Sequence, residues 1–349
     1  MPTLFDPIDI GPLHLPNRII MAPLTRARSG SSRIPNDLML EYYVQRASAG
    51  LILTEATSVE PMGVGYADTP GIWSDAQVDG WKRITDAVHK AGGRIALQLW
   101  HVGRISHSMF LDGDEPVAPS AIAAEGHVSH VRPKVTFPTP RALETREIAG
   151  IVEAFRNGAR NALRAGFDGV EIHGANGYLV DQFLQTASNQ RNDQYGGSIE
   201  NRARLMLEVA DAVIGVWGAD RVGMHLAPRG DAHSMGDTDP AATFGYVAAE
   251  LGKRGLGYLC VREYVGENRL GPQLKKLFGG VYIANERFTQ ESAEQALAAG
   301  EADAIAFGQL FISNPDLPRR FAENAALNEP DFKTFYSHGA EGYVDYPSL

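Results

Sequence analysis

A chain of 349 residues with 44% hydrophobic side chains can bury a large core, as two domains or as one barrel. Its formal charge of -10 argues against nucleic acid or an anionic membrane surface as a partner. The single cysteine, Cys260, leaves no internal disulfide and no iron–sulfur cluster to be built from this chain alone.

The N-terminus, Met1-Pro-Thr-Leu-Phe-Asp-Pro7, has no basic region followed by an apolar one, and no apolar run approaches the ~20 residues of a membrane helix. A soluble cytoplasmic protein is expected, a monomer or a weak homo-oligomer. From Phe5 to Asn17 the turn residues suggest a hairpin that closes a barrel floor. Short apolar runs then alternate with longer helical patterns. The runs predict strands over 18–22, 51–54, 94–99, 169–173, 222–226, 257–261, 281–284 and 303–307. Helices are predicted over 37–48, 75–90, 145–165, 198–217, 240–253 and 289–299. Thr145, Ser198 and Asp239 are expected to supply cap oxygens, with Pro240 at a first helical position. Eight strands with helices between most of them indicate an α/β fold, a (β/α)₈ barrel rather than an open sheet.

One insertion breaks this rhythm. Residues 103–140, rich in Pro, Ser, His and Gly, follow the third strand, and so long a loop reads as a lid or pocket wall. The tail beyond Leu327 carries Tyr336, Tyr343 and Tyr346 and is expected to pack back on the barrel. A single domain over 1–349 accommodates both segments.

Chemistry in a barrel gathers where strands end. No lysine stands at a strand end to form a Schiff base. The first strand lacks a His-x-His and the eighth ends without a carboxylate, so a metallohydrolase is poorly supported; His173 and His225 alone make a weak metal pair. Gly63-Val-Gly65 is too short for a phosphate loop. What stands out is Gly169-Val-Glu-Ile-His-Gly-Ala-Asn-Gly-Tyr178, a buried strand opening into a glycine-containing turn. His173 and Asn176 can both donate to one carbonyl or anionic oxygen, and the Tyr178 phenol can give a proton. The plainer reading of His173 is a core histidine bonded to Glu171. Gln98 both donates and accepts, which suits the edge of a planar ring, and Thr25 adds a hydroxyl. The loops after the seventh and eighth strands are the usual phosphate site of such a barrel.

Met21-Ala-Pro-Leu-Thr-Arg26, Gln45-Arg-Ala-Ser-Ala-Gly50, Gln98-Leu-Trp-His-Val-Gly-Arg104, His173-Gly-Ala-Asn-Gly-Tyr178, Asp193-Gln-Tyr-Gly-Gly-Ser-Ile-Glu-Asn-Arg202 and Asn314-Pro-Asp-Leu317 occur in this order. Together they resemble the Old Yellow Enzyme family of flavin ene-reductases. His225-Leu-Ala-Pro-Arg229 and Tyr282-Ile-Ala-Asn-Glu-Arg287 are most similar to its bacterial xenobiotic reductase and N-ethylmaleimide reductase branch.

The resemblance implies non-covalent FMN, reduced by NADPH or NADH, and hydride transfer to the β-carbon of an activated alkene with protonation at the α-carbon. It implies that Pro23, Leu24, Thr25, Ala56, Gln98, His225, Asn285, Arg287, Gly308 and Gln309 hold the cofactor. His173 and Asn176 would bind the substrate oxygen, Tyr178 would donate the proton, and Tyr66, Trp100 and Tyr336 would line the pocket. No metal is implied. Many members carry arginine where His225 and Gln309 stand here, so Arg229 and Arg287 are expected to supply those charges. A flavin-binding protein without turnover is the alternative from another class. A larger dienoyl reductase is excluded by the lone cysteine.

Overall fold

The computed structural model describes residues 1–230 and 232–349. Eight parallel strands close into a barrel: Ile19–Met21, Leu51–Leu53, Ile95–Trp100, Gly169–His173, Val222–Leu226, Tyr258–Arg262, Val281–Asn285 and Ala304–Phe307. They pair in chain order, and the first strand meets the eighth through Met21 opposite Phe307. All eight predicted strands form, with boundaries within one residue of expectation.

Alternation along each strand divides the core. Inward-facing Ile20, Leu51, Leu53, Ala96, Cys260, Ile283 and Ala304 fill the lower barrel, and Ile10 and Leu15 cover it from below. Those two come from the N-terminal hairpin, whose arms Ile8–Ile10 and Leu13–Leu15 pair antiparallel as predicted. Outward-facing Val170, Ile172, Val222 and Met224 join the larger layer between sheet and helices. This burial is the main driving force for closure, on the order of 2 kcal/mol per large side chain.

Helices Asp75–Lys90, Ile199–Trp217 and Pro240–Lys253 stand where their periodicity places them. Ser198 and Asp239 accept from the backbone N–H groups of Asn201 and Ala242 at 3.3 and 3.0 Å. Thr145 departs from expectation. Its hydroxyl donates to Asp193, while the Glu147 carboxylate accepts from the Glu144 backbone at the start of that helix. The helical pattern that begins soon after Gly177 forms as Leu179–Leu184, whereas the short helices Gly271–Phe278, Gln309–Ser313 and Leu317–Glu323 were not anticipated. They are too brief, or too evenly buried, to show a helical period. No helix among the described residues is long and apolar enough to cross a membrane.

The insertion folds over the barrel mouth. Val102, Ile105, Ala124, Val128 and Phe137 bury against Ala56 and Trp100, with Tyr66 and Tyr178 packed on the same cluster. The tail closes the opposite side. Tyr343 is fully buried and stacks on Tyr42 at 4.1 Å, held by Arg26, which donates to the carbonyls of Phe335 and Gly342 at 3.1 and 2.8 Å.

Candidate active site

The fourth strand delivers the catalytic candidates. After His173 the chain turns through Asn176 and Gly177, both at positive φ (59° and 78°). A side chain at Gly177 would be strained there, and its Cβ would stand 2.7 Å from Met235 Cγ. Asp181 accepts from the Gly177 N–H at 2.8 Å, and Gln182 donates to its carbonyl at 2.7 Å, so the turn is fixed from both sides.

His173, Asn176 and Tyr178 thereby form one wall of the barrel mouth, with the His233 ring against both Tyr178 and the Asn176 carbonyl. The His173 ring lies nearly parallel to Trp100, with centroids 6.3 Å apart, and edge-on to Tyr178 at 5.0 Å. It makes no bond to Glu171, and its buried Nδ1 has no protein partner. Burial, reinforced by His225, Arg262 and His233, pushes its pKa well below the usual histidine value. The ring is therefore neutral at neutral pH. Asn176 Oδ1 accepts from Arg262 Nη1 at 2.9 Å, and its backbone carbonyl meets His233 Nδ1 at 2.7 Å. The Tyr178 and Tyr66 hydroxyls lie 2.8 Å apart. Burial raises both phenols, Tyr178 well above the ordinary value and Tyr66 to about 12, so both keep their protons. Trp100 packs edge-on against Tyr178 at 4.9 Å. Tyr336 sits further out, 44% exposed at the rim, against the His130 ring of the insertion at 4.3 Å.

Beneath this wall lies a polar layer inside the barrel. Gln98 Nε2 donates to Glu171 Oε1 at 2.7 Å, and His225 Nδ1 reaches the same oxygen at 3.2 Å. All three residues are buried, and Glu171 Oε2 and His225 Nε2 have no protein partner. With Cys260, Glu171 and His225 place three possible ligand atoms within 4.8 Å of one another. One Glu171 oxygen is shared by Gln98 and His225, and burial holds the Cys260 thiol well protonated, which disfavours a thiolate ligand there. Pro23, Leu24 and Thr25 are half-buried on the loop after the first strand, and Ala56 is buried after the second.

That first loop is held by Glu55, whose Oε2 accepts from the N–H groups of Arg26 and Ala27 at 3.1 and 3.2 Å. Burial lifts the Glu55 carboxyl from an ordinary 4.5 to about 7. The folded protein binds this proton more tightly than the unfolded chain. Its stabilising contribution is therefore complete below pH 4.5 and is lost as pH rises through 7. The gap corresponds to on the order of 3 kcal/mol. Melting temperatures of Glu55→Gln should overtake wild type between pH 5 and 8; parallel curves would show that Glu55 is already ionised at the lower pH.

Asn285 ends the seventh strand, Arg287 follows on its loop, and Gly308 and Gln309 follow the eighth strand. Arg287 is exposed, with its guanidinium 4.5 Å from the Tyr264 ring centroid, and Gln309 is exposed at the start of its short helix. Arg229 does not stand free to supply the charge expected of it. It pairs with Glu263 at 2.7 Å and donates to the carbonyls of Tyr264 and Glu267. Four site residues were overlooked in roles they now hold: Glu171, Arg262, His233 and Glu55. Strand parity alone places Glu171 on the same inner face as His173, so that one was within reach of the sequence.

The barrel mouth thus holds a buried amide, unpartnered inner polar atoms and a neutral, buried histidine close to Tyr178. Residues 3–328 match the NADH:flavin oxidoreductase / NADH oxidase family. A putative 12-oxophytodienoate reductase of Oryza sativa subsp. japonica is 43% identical over 99% of this chain and 93% of its own length. A probable flavin mononucleotide-dependent alkene reductase of Leishmania infantum is also 43% identical, over 99% and 97%. Morphinone reductase in complex with tetrahydroNAD superposes with a TM-score of 0.96 at 52% identity, over 100% of this chain and 98% of that one. The old yellow enzyme homologue from Zymomonas mobilis gives 0.97 at 45%, over the whole of both chains. The chain belongs to the NADH:flavin oxidoreductase / NADH oxidase family, among the Old Yellow Enzyme homologues. FMN and a nicotinamide dinucleotide are the cofactors of this class, and the residues present fit a flavin. With Gln98 Nε2 committed to Glu171, its carbonyl oxygen is left for a ring N–H, and His225 Nε2 is a buried nitrogen still without a partner.

Proposed function

We propose that this protein is an FMN-dependent ene-reductase acting on enones and maleimides, and on nitro compounds or nitrate esters, with NADPH or NADH as reductant. The observation that carries the reading is a neutral, buried His173 beside an Asn176 whose Oδ1 is already occupied, both next to the protonated Tyr178. When bound, FMN supplies the hydride, taken from the nicotinamide and delivered to the β-carbon of the alkene. Gln98 would hold its pyrimidine edge, with His225 alongside. Pro23, Leu24, Thr25 and Ala56 would approach the ring, while Asn285, Arg287, Gly308 and Gln309 would serve the phosphate end.

His173 and Asn176 hold the carbonyl or nitro oxygen. Negative charge grows on that oxygen as the β-carbon is reduced, so two fixed donors favour the transition state over the ground state. Tyr178 gives its phenolic proton to the α-carbon, and Tyr66, hydrogen-bonded to it, is placed to return one. Residues 103–140 act as a lid within one domain, with Trp100, Tyr66 and Tyr336 forming the wall that selects substrates.

A steady-state assay of the FMN-loaded protein with a cyclic enone, run with NADPH and with NADH, tests this. Enone-dependent oxidation of either nucleotide in the absence of oxygen is expected, with the saturated ketone as product. Flavin binding with no turnover of enone, maleimide or nitroalkene would instead mark a flavoprotein without this chemistry.

A further inference from the structure

The last inward-facing side chain of the sixth strand is Arg262, and it bridges two loops of the barrel mouth. Nη1 donates to Asn176 Oδ1 at 2.9 Å, and Nη2 donates to Glu286 Oε1 at 2.9 Å. Its side chain remains 38% exposed, while Glu286 is 13% exposed. Asn176 and Glu286 are both non-glycine residues at positive φ, 59° and 109°. Backbone in that region persists where its surroundings hold it, and a guanidinium fork, flat and always charged, suits the holding of two acceptors at once.

An asparagine amide has two faces of opposite polarity, an acceptor oxygen and a donor NH₂. Free to rotate, it could present either to a substrate, and only the donor side stabilises an oxygen gaining negative charge. Arg262 carries donors alone, so the amide face it meets must be the oxygen. The NH₂ is then the face turned away from the guanidinium. We propose that Arg262 is a positioning residue that fixes the Asn176 side chain with its NH₂ toward the substrate oxygen, with Glu286 anchoring the guanidinium from the far side. This rests on the role proposed above for Asn176 and adds the residue that sets its polarity.

The distinguishing test exploits that polarity. Arg262→Met removes the donors and leaves the amide unfixed. Arg262→Glu, an acceptor, would draw the NH₂ toward itself and turn the oxygen to the substrate. Arg262→Lys keeps one donor within reach. On FMN-loaded protein, kcat/KM for a cyclic enone should fall about 10- to 100-fold in Arg262→Met, further in Arg262→Glu, and recover in part in Arg262→Lys. In an Asn176→Ala background the three substitutions should cost little more, because the group they aim is gone.

Bound FMN, measured by flavin absorbance per chain, accompanies each assay. If Arg262→Met sheds the cofactor, the comparison is made between Arg262→Lys and Arg262→Glu at equal flavin content, where the same order is expected. Equal activities of the Met, Glu and Lys variants, or full losses that persist in Asn176→Ala, would overturn the proposal in favour of a purely structural bridge. A wild-type protein inactive on every activated alkene would instead defeat the functional reading on which the test depends.

Discussion

Alanine in place of His173 lowers kcat/KM for enone reduction by about 100- to 1,000-fold, the cost of removing one preplaced donor from an oxygen that gains charge in the transition state. The expectation follows from how the ring is held. It is buried against Trp100 and Tyr178 at the end of a barrel strand, so its position is fixed before substrate arrives. It is also neutral, because burial and three neighbouring cations or would-be cations oppose a second proton. A neutral donor adds no charge to repel a nicotinamide and no acid limb near the ordinary histidine value. Wild-type activity should accordingly show no step from His173 between pH 6 and 8, since its charged form appears only at lower pH. Parallel measurement of kcat/KM for wild type and His173→Ala across that range checks both points. A variant within a few-fold of wild type would place the oxygen-binding role elsewhere.

Removing the phenol oxygen of Tyr178 should separate the two halves of the cycle. Tyr178→Phe keeps the ring that packs on Trp100, yet lacks the proton for the α-carbon. Reduction of the flavin by the nicotinamide needs no such proton and should proceed at close to the wild-type rate. Alkene reduction by the reduced protein should slow about 100- to 10,000-fold, the range contributed by a positioned general acid. Stopped-flow traces of flavin bleaching and recovery, recorded separately, make the comparison. The Tyr66 hydroxyl at 2.8 Å explains why the loss could fall short of the upper end, since a second phenol stands next to the vacated position. Recovery at the wild-type rate would assign the proton to solvent.

Much of the scaffold was legible because its signals are local. Val170 and Ile172 alternate with Glu171 and His173 over five residues, and that pattern fixes both the strand and the face each side chain takes. The hairpin floor and the packed tail were likewise announced by turn residues and by tail tyrosines, of which Tyr343 is fully buried. The Thr145 cap was misplaced because two glutamates flank it, and a carboxylate is as good an acceptor as a hydroxyl. The helix Gly271–Phe278 begins on Gly-Pro, which reads as a turn in isolation, and becomes a helix because Leu274 and Phe278 bury against the barrel.

Within the candidate site, residues of distinctive chemistry stand out in the sequence and those defined by a distant partner do not. His173, Asn176 and Tyr178 announce themselves by type and spacing. Arg262 does not, since its meaning lies in an asparagine 86 positions away. Arg229 shows the converse: a cation four positions after His225 invites a cofactor role, but Glu263 on the next loop captures it first.

The most direct measurement is a visible spectrum of the purified, FMN-loaded protein through one anaerobic cycle. A flavin absorbance that bleaches with NADPH or NADH and returns when a cyclic enone is added, with an equimolar saturated ketone recovered, is the result expected. A flavin that bleaches and then stays reduced in the presence of enone, maleimide and nitroalkene alike would contradict the assignment of His173, Asn176 and Tyr178 to alkene reduction.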